Sequence, residues 1–331
     1  MRTARAVNSL FAVLVMSCWA SAGSDLPPVV DGGPGLASPY QACKLTLGAF
    51  RRTPRSADGV ILHARINGAK PMRFLLDSGA DNLVMDSKAA HALGLDGDQE
   101  LELVGPGTRP ARSAWARSVE IGPVAFRHCR VALVDGKVID GVDGVLPLSL
   151  FSDFLLRLDL GARSLELIPY PDARDLEAAS TPRPGRPDPL LVATVLNGDR
   201  HGYAVLDTGA FCSAVSRDIA RMMGGSHFAP YTLISAGTGA AFGRSLSFPV
   251  SFRVGNQELI SDEAVALDLS NLSRHSGVEV IGVVGFPALR PYVLTIDYRH
   301  GFVTIRPPEG HAGRKSDDAL CGISAAQLAF H

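Results

Sequence analysis

Two stretches of the chain carry the same order of apolar and polar positions. Each begins with a strand-like run, at 60–66 and 190–196, that leads into Asn-Gly, a dipeptide typical of a tight hairpin turn. A short continuous apolar run follows and predicts a fully buried strand. Apolar residues at helical spacing then predict a short helix in 87–93 and in 217–223, and a glycine follows each. The pattern therefore predicts mainly β structure with one short helix in each stretch.

The two stretches are also similar residue by residue. The spacing that separates Asp77 from Asp207 holds without a gap from Asn67 and Asn197 as far as the glycines after the two helices. Further on, Gly-Val-Leu at 144–146 matches Gly-Val-Val at 282–284, after a short insertion in the second copy. This self-similarity predicts a duplicated unit of ordinary domain size.

The repeat divides the chain into predicted segments. A stretch rich in proline, arginine and aspartate separates the copies and is typical of a linker. The predicted segments are a signal peptide (1–22), an N-terminal extension (23–58), a first lobe (59–170), a linker (171–189), a second lobe (190–306) and a C-terminal tail (307–331).

The first residues have the composition of a targeting segment. Arg2 and Arg5 precede a short apolar run, and small residues at 20–22 then offer a cleavage site. A second interpretation stays open, because the four residues ending at Cys18 resemble a bacterial lipobox, in which that cysteine is lipidated. Under either interpretation we expect an exported protein of the bacterial periplasm or cell envelope, with membrane contact only through the lipid anchor.

Export places the remaining cysteines in an oxidising compartment. Cys43, Cys129, Cys212 and Cys321 form an even set with three possible pairings. A disulfide bond between Cys43 and Cys321 would join the two terminal extensions, and four buried thiols are the alternative. The chain has no Cys-x-x-Cys and no metal-ligand spacing of histidines, so we expect no metal and no cofactor.

Charge excludes a further class of partner. The formal net charge is -1 and the isoelectric point about 6.8. No basic field therefore exists for nucleic acid, and none is expected as a partner.

The repeated turn carries the candidate chemistry. Asp77 and Asp207 each end a buried apolar strand, where an isolated charge is unfavourable. Two such carboxyl groups brought together cannot both ionise easily, so one keeps a proton while the other stays charged. Such a pair can activate a water molecule and protonate a carbonyl oxygen. The residues predicted to support the two turns are Ser78, Gly79, Ala80, Thr208, Gly209 and Ala210.

These turns resemble the signature of the retropepsin-like aspartic peptidases (clan AA). The similarity covers Leu-Leu-Asp-Ser-Gly-Ala-Asp at 75–81 and Val-Leu-Asp-Thr-Gly-Ala at 205–210, with Phe211 where the family often has aspartate. The resemblance implies an all-β fold of two pseudo-twofold related acid-protease-like β-barrel lobes, each with a short helix. It also implies a peptide-binding cleft between the lobes and hydroxyl groups of the two turns that form hydrogen bonds across the lobe interface. Asp81 becomes a candidate substrate contact, with a solvated turn residue as the alternative.

Two departures from the family pattern keep a second hypothesis open. The first copy has Pro147 where the second has Gly285, and the candidate flaps are unequal. The glycine-rich flap of the second copy includes Gly237, Thr238 and Gly239, whereas the first copy offers only the stiffer stretch 104–108. The leading hypothesis is an exported, monomeric aspartic endopeptidase that acts on peptides or proteins. The alternative is a catalytically impaired retropepsin-like protein that binds peptides or an envelope partner.

Overall fold

The protein is known from a computed structural model, which describes residues 29–30, 42–51, 58–170, 181–182, 190–223, 230–235 and 239–308. Strands account for most of the ordered elements, as expected from the pattern of the two copies. The strands of the first half are β1 (Val29–Val30), β2 (Cys43–Thr46), β3 (Gly48–Phe50), β4 (Gly59–Ile66), β5 (Met72–Asp77), β6 (Leu83–Asp86), β7 (Gln99–Val104), β8 (Thr108–Ile121), β9 (Val124–Val134), β10 (Gly144–Pro147), β11 (Leu155–Asp159) and β12 (Ser164–Ile168). Those of the second half are β13 (Thr181–Pro182), β14 (Leu191–Leu196), β15 (Arg200–Asp207), β16 (Ser213–Ser216), β17 (Pro230–Ser235), β18 (Gly239–Ser245), β19 (Val250–Val254), β20 (Gln257–Ser261), β21 (Ala264–Leu267), β22 (Val280–Gly285), β23 (Val293–Asp297) and β24 (Phe302–Arg306).

Three sheets organise the described residues. The first lobe, as we use the term from here on, is the sheet β1-β9-β6-β10-β5-β4-β8-β7 with β3 paired to β4. The second lobe is the sheet β17-β18-β21-β16-β22-β15-β14-β19-β20. In both, the strand that ends in the candidate aspartate lies between an antiparallel neighbour (β4 or β14) and a parallel one (β10 or β22). The predicted all-β fold class is thereby confirmed.

The two lobes differ in how their outer hairpins are built. In the first lobe the long strand β8 pairs with β7, β4 and β9, so that six strands close into a ring. In the second lobe two separate strands take the place of β8. Strand β18 pairs with β17 and β21, and strand β19 pairs with β14 and β20. Pro249 lies between β18 and β19, and a proline has no N–H to donate to a ladder.

The third sheet joins the lobes. It runs β13-β24-β23-β11-β12-β2, so the hairpin that follows the first lobe pairs, through β11 and β23, with the hairpin that follows the second. Strand β2 forms one edge, with Cys43 opposite Leu167. Residues of the predicted N-terminal extension are therefore built into the sheets, through β2 here and through β3 in the first lobe.

Four α-helices and one 3₁₀ turn complete the described elements. They are α1 (Ser87–His91), α2 (Arg217–Met222), α3 (Ser270–Ser276), α4 (Phe286–Leu289) and the 3₁₀ turn Leu148–Phe151. The first two are the predicted helices, and Asp86 caps α1 by accepting hydrogen bonds from two backbone N–H groups. Helix α3 was not predicted; it lies in the insertion of the second copy.

The repeated Asn-Gly turns form tight hairpins. Asn67 and Asn197 adopt positive φ angles of 53° and 45° between the paired strands β4–β5 and β14–β15. Each side chain also accepts a hydrogen bond from the backbone of the neighbouring strand, at Arg117 N (2.7 Å) and Ser251 N (2.8 Å). The same residue type therefore anchors the same two strands in both lobes.

Within the described residues no helix has the length and apolar character needed to cross a bilayer. Cys129 is a buried free thiol, and burial raises its pKa to about 12. Cys212 is buried as well, whereas Cys43 is a half-buried free thiol on β2. Cys321, one of the possible partners of Cys43, lies outside the described residues, as do the predicted signal peptide and Cys18.

Candidate active site

Two buried strands bring the candidate aspartates to the boundary between the lobes. Asp77 ends β5 after Phe74, Leu75 and Leu76, and Asp207 ends β15 after an equally apolar run. Both aspartates have 0% of their surface exposed. The apolar strands that the sequence pattern identified therefore carry both carboxyl groups below the protein surface.

The two carboxyl groups meet there. Each lies within hydrogen-bonding reach of the other. The turn glycines make this approach possible, because a Cβ on Gly79 would lie 2.6 Å from Cγ of Asp207, and one on Gly209 would lie 2.6 Å from Cγ of Asp77. Any larger residue at either position would push the opposite carboxyl away.

Backbone N–H groups hold one oxygen of each carboxyl. Oδ1 of Asp77 accepts from Gly79 N at 2.7 Å, and Oδ1 of Asp207 accepts from Gly209 N and Ala210 N, both at 2.9 Å. The two Oδ2 atoms are buried and have no hydrogen-bond partner among the described residues, unless one carboxyl is protonated and donates to the other. A buried, unsatisfied oxygen is unfavourable, so the geometry favours one shared proton.

Reciprocal hydroxyl contacts connect the two turns behind the carboxyls. Oγ of Ser78 donates to the carbonyl of Leu206 (2.6 Å) and accepts from Thr208 N (3.0 Å). Oγ1 of Thr208 donates to the carbonyl of Leu76 (2.8 Å) and accepts from Ser78 N (3.1 Å). Each hydroxyl thus satisfies two buried backbone groups of the opposite lobe, and the four bonds fix the spacing of the two aspartates.

Burial dominates the ionisation of the pair. Loss of solvation raises the pKa of Asp77 to about 7, and it raises the pKa of Asp207 well above its ordinary value. The negative charge of Asp77 raises the pKa of Asp207 in addition, whereas the hydrogen bond with Asp207 opposes the rise at Asp77. Both shifts are upward, so the pair holds one proton over the pH range between its two apparent pKa values.

Residues 62–149 match the family model described as aspartyl protease. The predicted resemblance to the retropepsin-like aspartic peptidases is confirmed. Among solved structures, the aspartic proteinase from Irpex lacteus matches the fold with a TM-score of 0.51; the alignment covers 82% of this chain and 99% of that one. At 11% identity this likeness concerns the fold. No curated protein matches the sequence.

The positions that follow the two aspartate turns differ in chemistry. Asp81 lies at the end of a polar chain, in which Asn82 donates to Asp81 (2.6 Å) and Arg130 donates to Asn82 (3.2 Å). The equivalent residue of the second turn, Phe211, is 5% exposed and stacks on Phe50, with ring centroids 5.4 Å apart. The role of Asp81 in substrate binding stays a prediction.

The candidate flaps are both hairpins. In the second lobe β17 and β18 form an antiparallel hairpin, in which Ser235 and Gly239 are the paired residues nearest the turn. The residues of the turn, which include Gly237 and Thr238, lie outside the described part of the chain. In the first lobe β7 and β8 form the equivalent hairpin, whose short turn is closed by a hydrogen bond from Gly105 N to the carbonyl of Gly107 (2.8 Å).

The departure at Pro147 coincides with a second replacement. Gly285 lies beside Asp207 on β22, and its N–H donates to the buried hydroxyl of Ser213 (3.1 Å). In the first lobe Pro147 lies beside Asp77 in the same register, and the position of Ser213 is taken by Leu83, which is buried in the core. The first lobe thus lacks both the N–H donor, because Pro147 has none, and the hydroxyl acceptor, because Leu83 replaces the serine.

Sequence reasoning located both aspartates and their turns but missed Phe50 and Ser213. Phe50 lies in the segment assigned to an extension outside the repeat, so no repeat comparison could identify it. The signal for Ser213 was available, since it occupies the repeat position of Leu83 and differs from it in polarity. No group of three or more potential metal ligands occurs among the described residues.

Proposed function

We propose that this protein is an aspartic endopeptidase, exported by a bacterial cell, that hydrolyses peptide bonds with water activated by Asp77 and Asp207. The observation that carries the proposal is the contact between two fully buried carboxyl groups, each at the turn after an apolar strand. The family match over residues 62–149 and the fold support the same class of reaction.

In the proposed reaction the charged carboxylate of Asp77 takes a proton from a water molecule as its oxygen attacks the carbonyl carbon of the substrate. The protonated carboxyl of Asp207 donates its proton to the carbonyl oxygen, which gives a neutral tetrahedral diol. Collapse of the diol breaks the C–N bond, the nitrogen receives a proton from Asp77, and Asp207 recovers one from the diol. No covalent intermediate with the protein forms, and the pair ends with one proton, as it began.

The singly protonated pair defines the pH range of this reaction. Because burial raises the pKa of both carboxyl groups, the charged base appears at a higher pH than it would for an ordinary exposed carboxyl group. Asp207 must still hold its proton, so activity is lost again at higher pH. We therefore expect a bell-shaped profile whose acid limb lies closer to neutrality than that of an ordinary carboxylate.

The test is cleavage of a denatured protein substrate by the purified chain between pH 4 and pH 9. Asp77→Asn and Asp207→Asn should each reduce cleavage by at least about 100-fold, because each removes one half of the acid–base pair. Asp140→Asn is the matched control, since Asp140 contacts Lys137 at the surface. Equal, slow cleavage by all four proteins would reject the peptidase and favour a peptide-binding protein.

Location and assembly belong to the same proposal. Because one chain supplies both carboxyl groups, the site requires no second copy, and we propose a monomer. Export is supported by the basic and apolar start of the chain. Fractionation of cells that express the full chain, with and without Cys18→Ser, tests it: a lipid anchor requires that the wild type enters the membrane fraction and the variant does not.

A further inference from the structure

The stacked pair Phe50 and Phe211 joins the turn of one aspartate to the opposite lobe. We propose that these two phenylalanines are positioning residues, which hold the turn of Asp207 against the first lobe and so keep the two carboxyl groups in contact. Their importance for catalysis rests on the function proposed above, whereas their effect on the carboxyl pair does not.

Phe211 is buried in a cluster that otherwise belongs to the first half of the chain. It lies four residues after Asp207 on the same turn, yet it stacks on Phe50 and belongs to the same buried cluster as Leu75 and Ala80. Every other member of this cluster lies between Phe50 and Val145. The ring therefore crosses the lobe boundary immediately beside the site.

The contact has the geometry of an efficient aromatic stack. The rings are 5.4 Å apart between centroids and inclined by 20°, and both residues are at most 5% exposed. Offset stacks of this kind stabilise by more than their buried area alone. The aromatic stack lies on the Asp207 side of the two carboxyl groups. On the Asp77 side, the counterpart of Phe211 is Asp81, which accepts a hydrogen bond from Asn82.

Phe50 is itself firmly held. It ends β3 and pairs with Gly59 of β4, and its carbonyl accepts a hydrogen bond from Asp58 N at 2.9 Å. A Cβ on Gly141 would lie 3.7 Å from the Phe50 ring, so the backbone of Gly141 passes close to the ring. The N-terminal residues 48–50 are therefore part of the scaffold of the site, and the proposal excludes their removal in a mature, functional form.

The carboxyl pair itself reports on this positioning. Among the described residues, the ionisable group that acts on each carboxyl is the other carboxyl, and the remaining contacts are the N–H groups of Gly79, Ala80, Gly209 and Ala210. If the second turn moves away, the carboxyls separate and gain solvent. Both effects lower the upper apparent pKa of the pair and bring the two apparent values together.

The experiment is a carboxyl ¹³C NMR titration of the protein labelled at aspartate, with Asp77→Asn and Asp207→Asn to assign the signals. In Phe211→Ala and in Phe50→Ala, we expect the upper apparent pKa of the pair to fall by at least about one unit. Phe151→Leu is the control: Phe151 forms an edge-to-face pair with Phe126 in the main core, at 5.4 Å, so the variant loses an aromatic contact in a cluster that contains neither Phe50 nor Phe211. Its two apparent pKa values should match the wild type.

The leucine variants keep the experiment decisive if an alanine variant does not fold. Phe211→Leu and Phe50→Leu retain apolar volume but lose the stack, and we expect a smaller fall of the same sign. Upper apparent values within about 0.3 of wild type in both leucine variants, or in both alanine variants, would overturn the proposal. If the titrations respond as expected while the wild type cleaves nothing, the positioning role stands and the peptidase proposal fails.

Discussion

Removal of a single hydroxyl should separate the two lobes at the site. Thr208 is completely buried; its Oγ1 donates to the carbonyl of Leu76 and accepts from the N–H of Ser78, both in the other lobe. Thr208→Val keeps the shape of the side chain and removes both bonds. Any effect is therefore due to hydrogen bonding rather than to a cavity.

The expected cost follows from the two groups that lose their partner. A buried N–H or carbonyl left unsatisfied costs about 1–3 kcal/mol, so the pair should lower the free energy of unfolding by about 2–6 kcal/mol. That is a large share of the total of about 5–15 kcal/mol of a typical domain. Thr208→Ser retains the hydroxyl and should lose less than about 1.5 kcal/mol.

The assay is urea unfolding of the wild type, Thr208→Val, Thr208→Ser and the surface control Thr108→Val, with the carboxyl titration recorded on the same samples. Thr108 is exposed at the start of β8, and its replacement should change the free energy by less than about 0.5 kcal/mol. If Thr208→Val were as stable as Thr108→Val, the reciprocal hydroxyl contacts could not be what fixes the spacing of the aspartates.

Two further predictions concern the ionisation of the pair and the backbone beside it. Burial raises the pKa of Asp77 from 3.8 to about 7, so its charged form is less favourable in the folded protein than in the unfolded chain. The folded state then binds more protons than the unfolded state, so the free energy of unfolding should fall as the pH rises from about 4 through 7. Asp77→Asn and Asp207→Asn should each flatten this fall in urea unfolding measured from pH 4 to pH 8. An unchanged slope in both variants would contradict the raised pKa of the buried carboxyl pair. Gly285→Ala would place a Cβ 2.5 Å from the carbonyl oxygen of Cys212 and should lower the melting temperature by an amount equivalent to about 1–3 kcal/mol, whereas Gly161→Ala, whose Cβ meets nothing closer than 3.5 Å, should not.

Local pattern predicted the parts of this protein that are specified locally. The apolar run before each aspartate, the Asn-Gly turns and the helices α1 and α2 all lie where periodicity indicated. The repeat added the inference that two similar turns could meet, and the structure brings Asp77 and Asp207 together. These features depend on residues within one strand, one turn or one helix.

The features that were not predicted depend on partners far along the chain. Strands β2 and β3 are too short to have a clear period, and each owes its place to a distant partner, β12 for one and β4 for the other. The stack of Phe50 on Phe211 joins residues from opposite halves of the chain, and neither residue has a counterpart of the same type in the repeat. Helix α3 lies in the insertion, where the first copy offers no comparison.

Pro147 illustrates why a departure from a motif has to be judged together with its neighbour. On the sequence alone, a proline in place of glycine beside the first aspartate suggested weaker support and motivated the hypothesis of a catalytically impaired protein. In the second lobe the glycine is required for two reasons: a Cβ on Gly285 would collide with the backbone of Cys212, and its N–H must bond to Ser213. The first lobe has Leu83 at the position of that serine, so this position has no hydroxyl that needs a hydrogen-bond donor. The missing N–H of Pro147 therefore leaves no polar group unpaired at this point. Because Asp77 keeps its register with Pro147 and its bond from Gly79, the replacement provides no argument that the first aspartate is impaired.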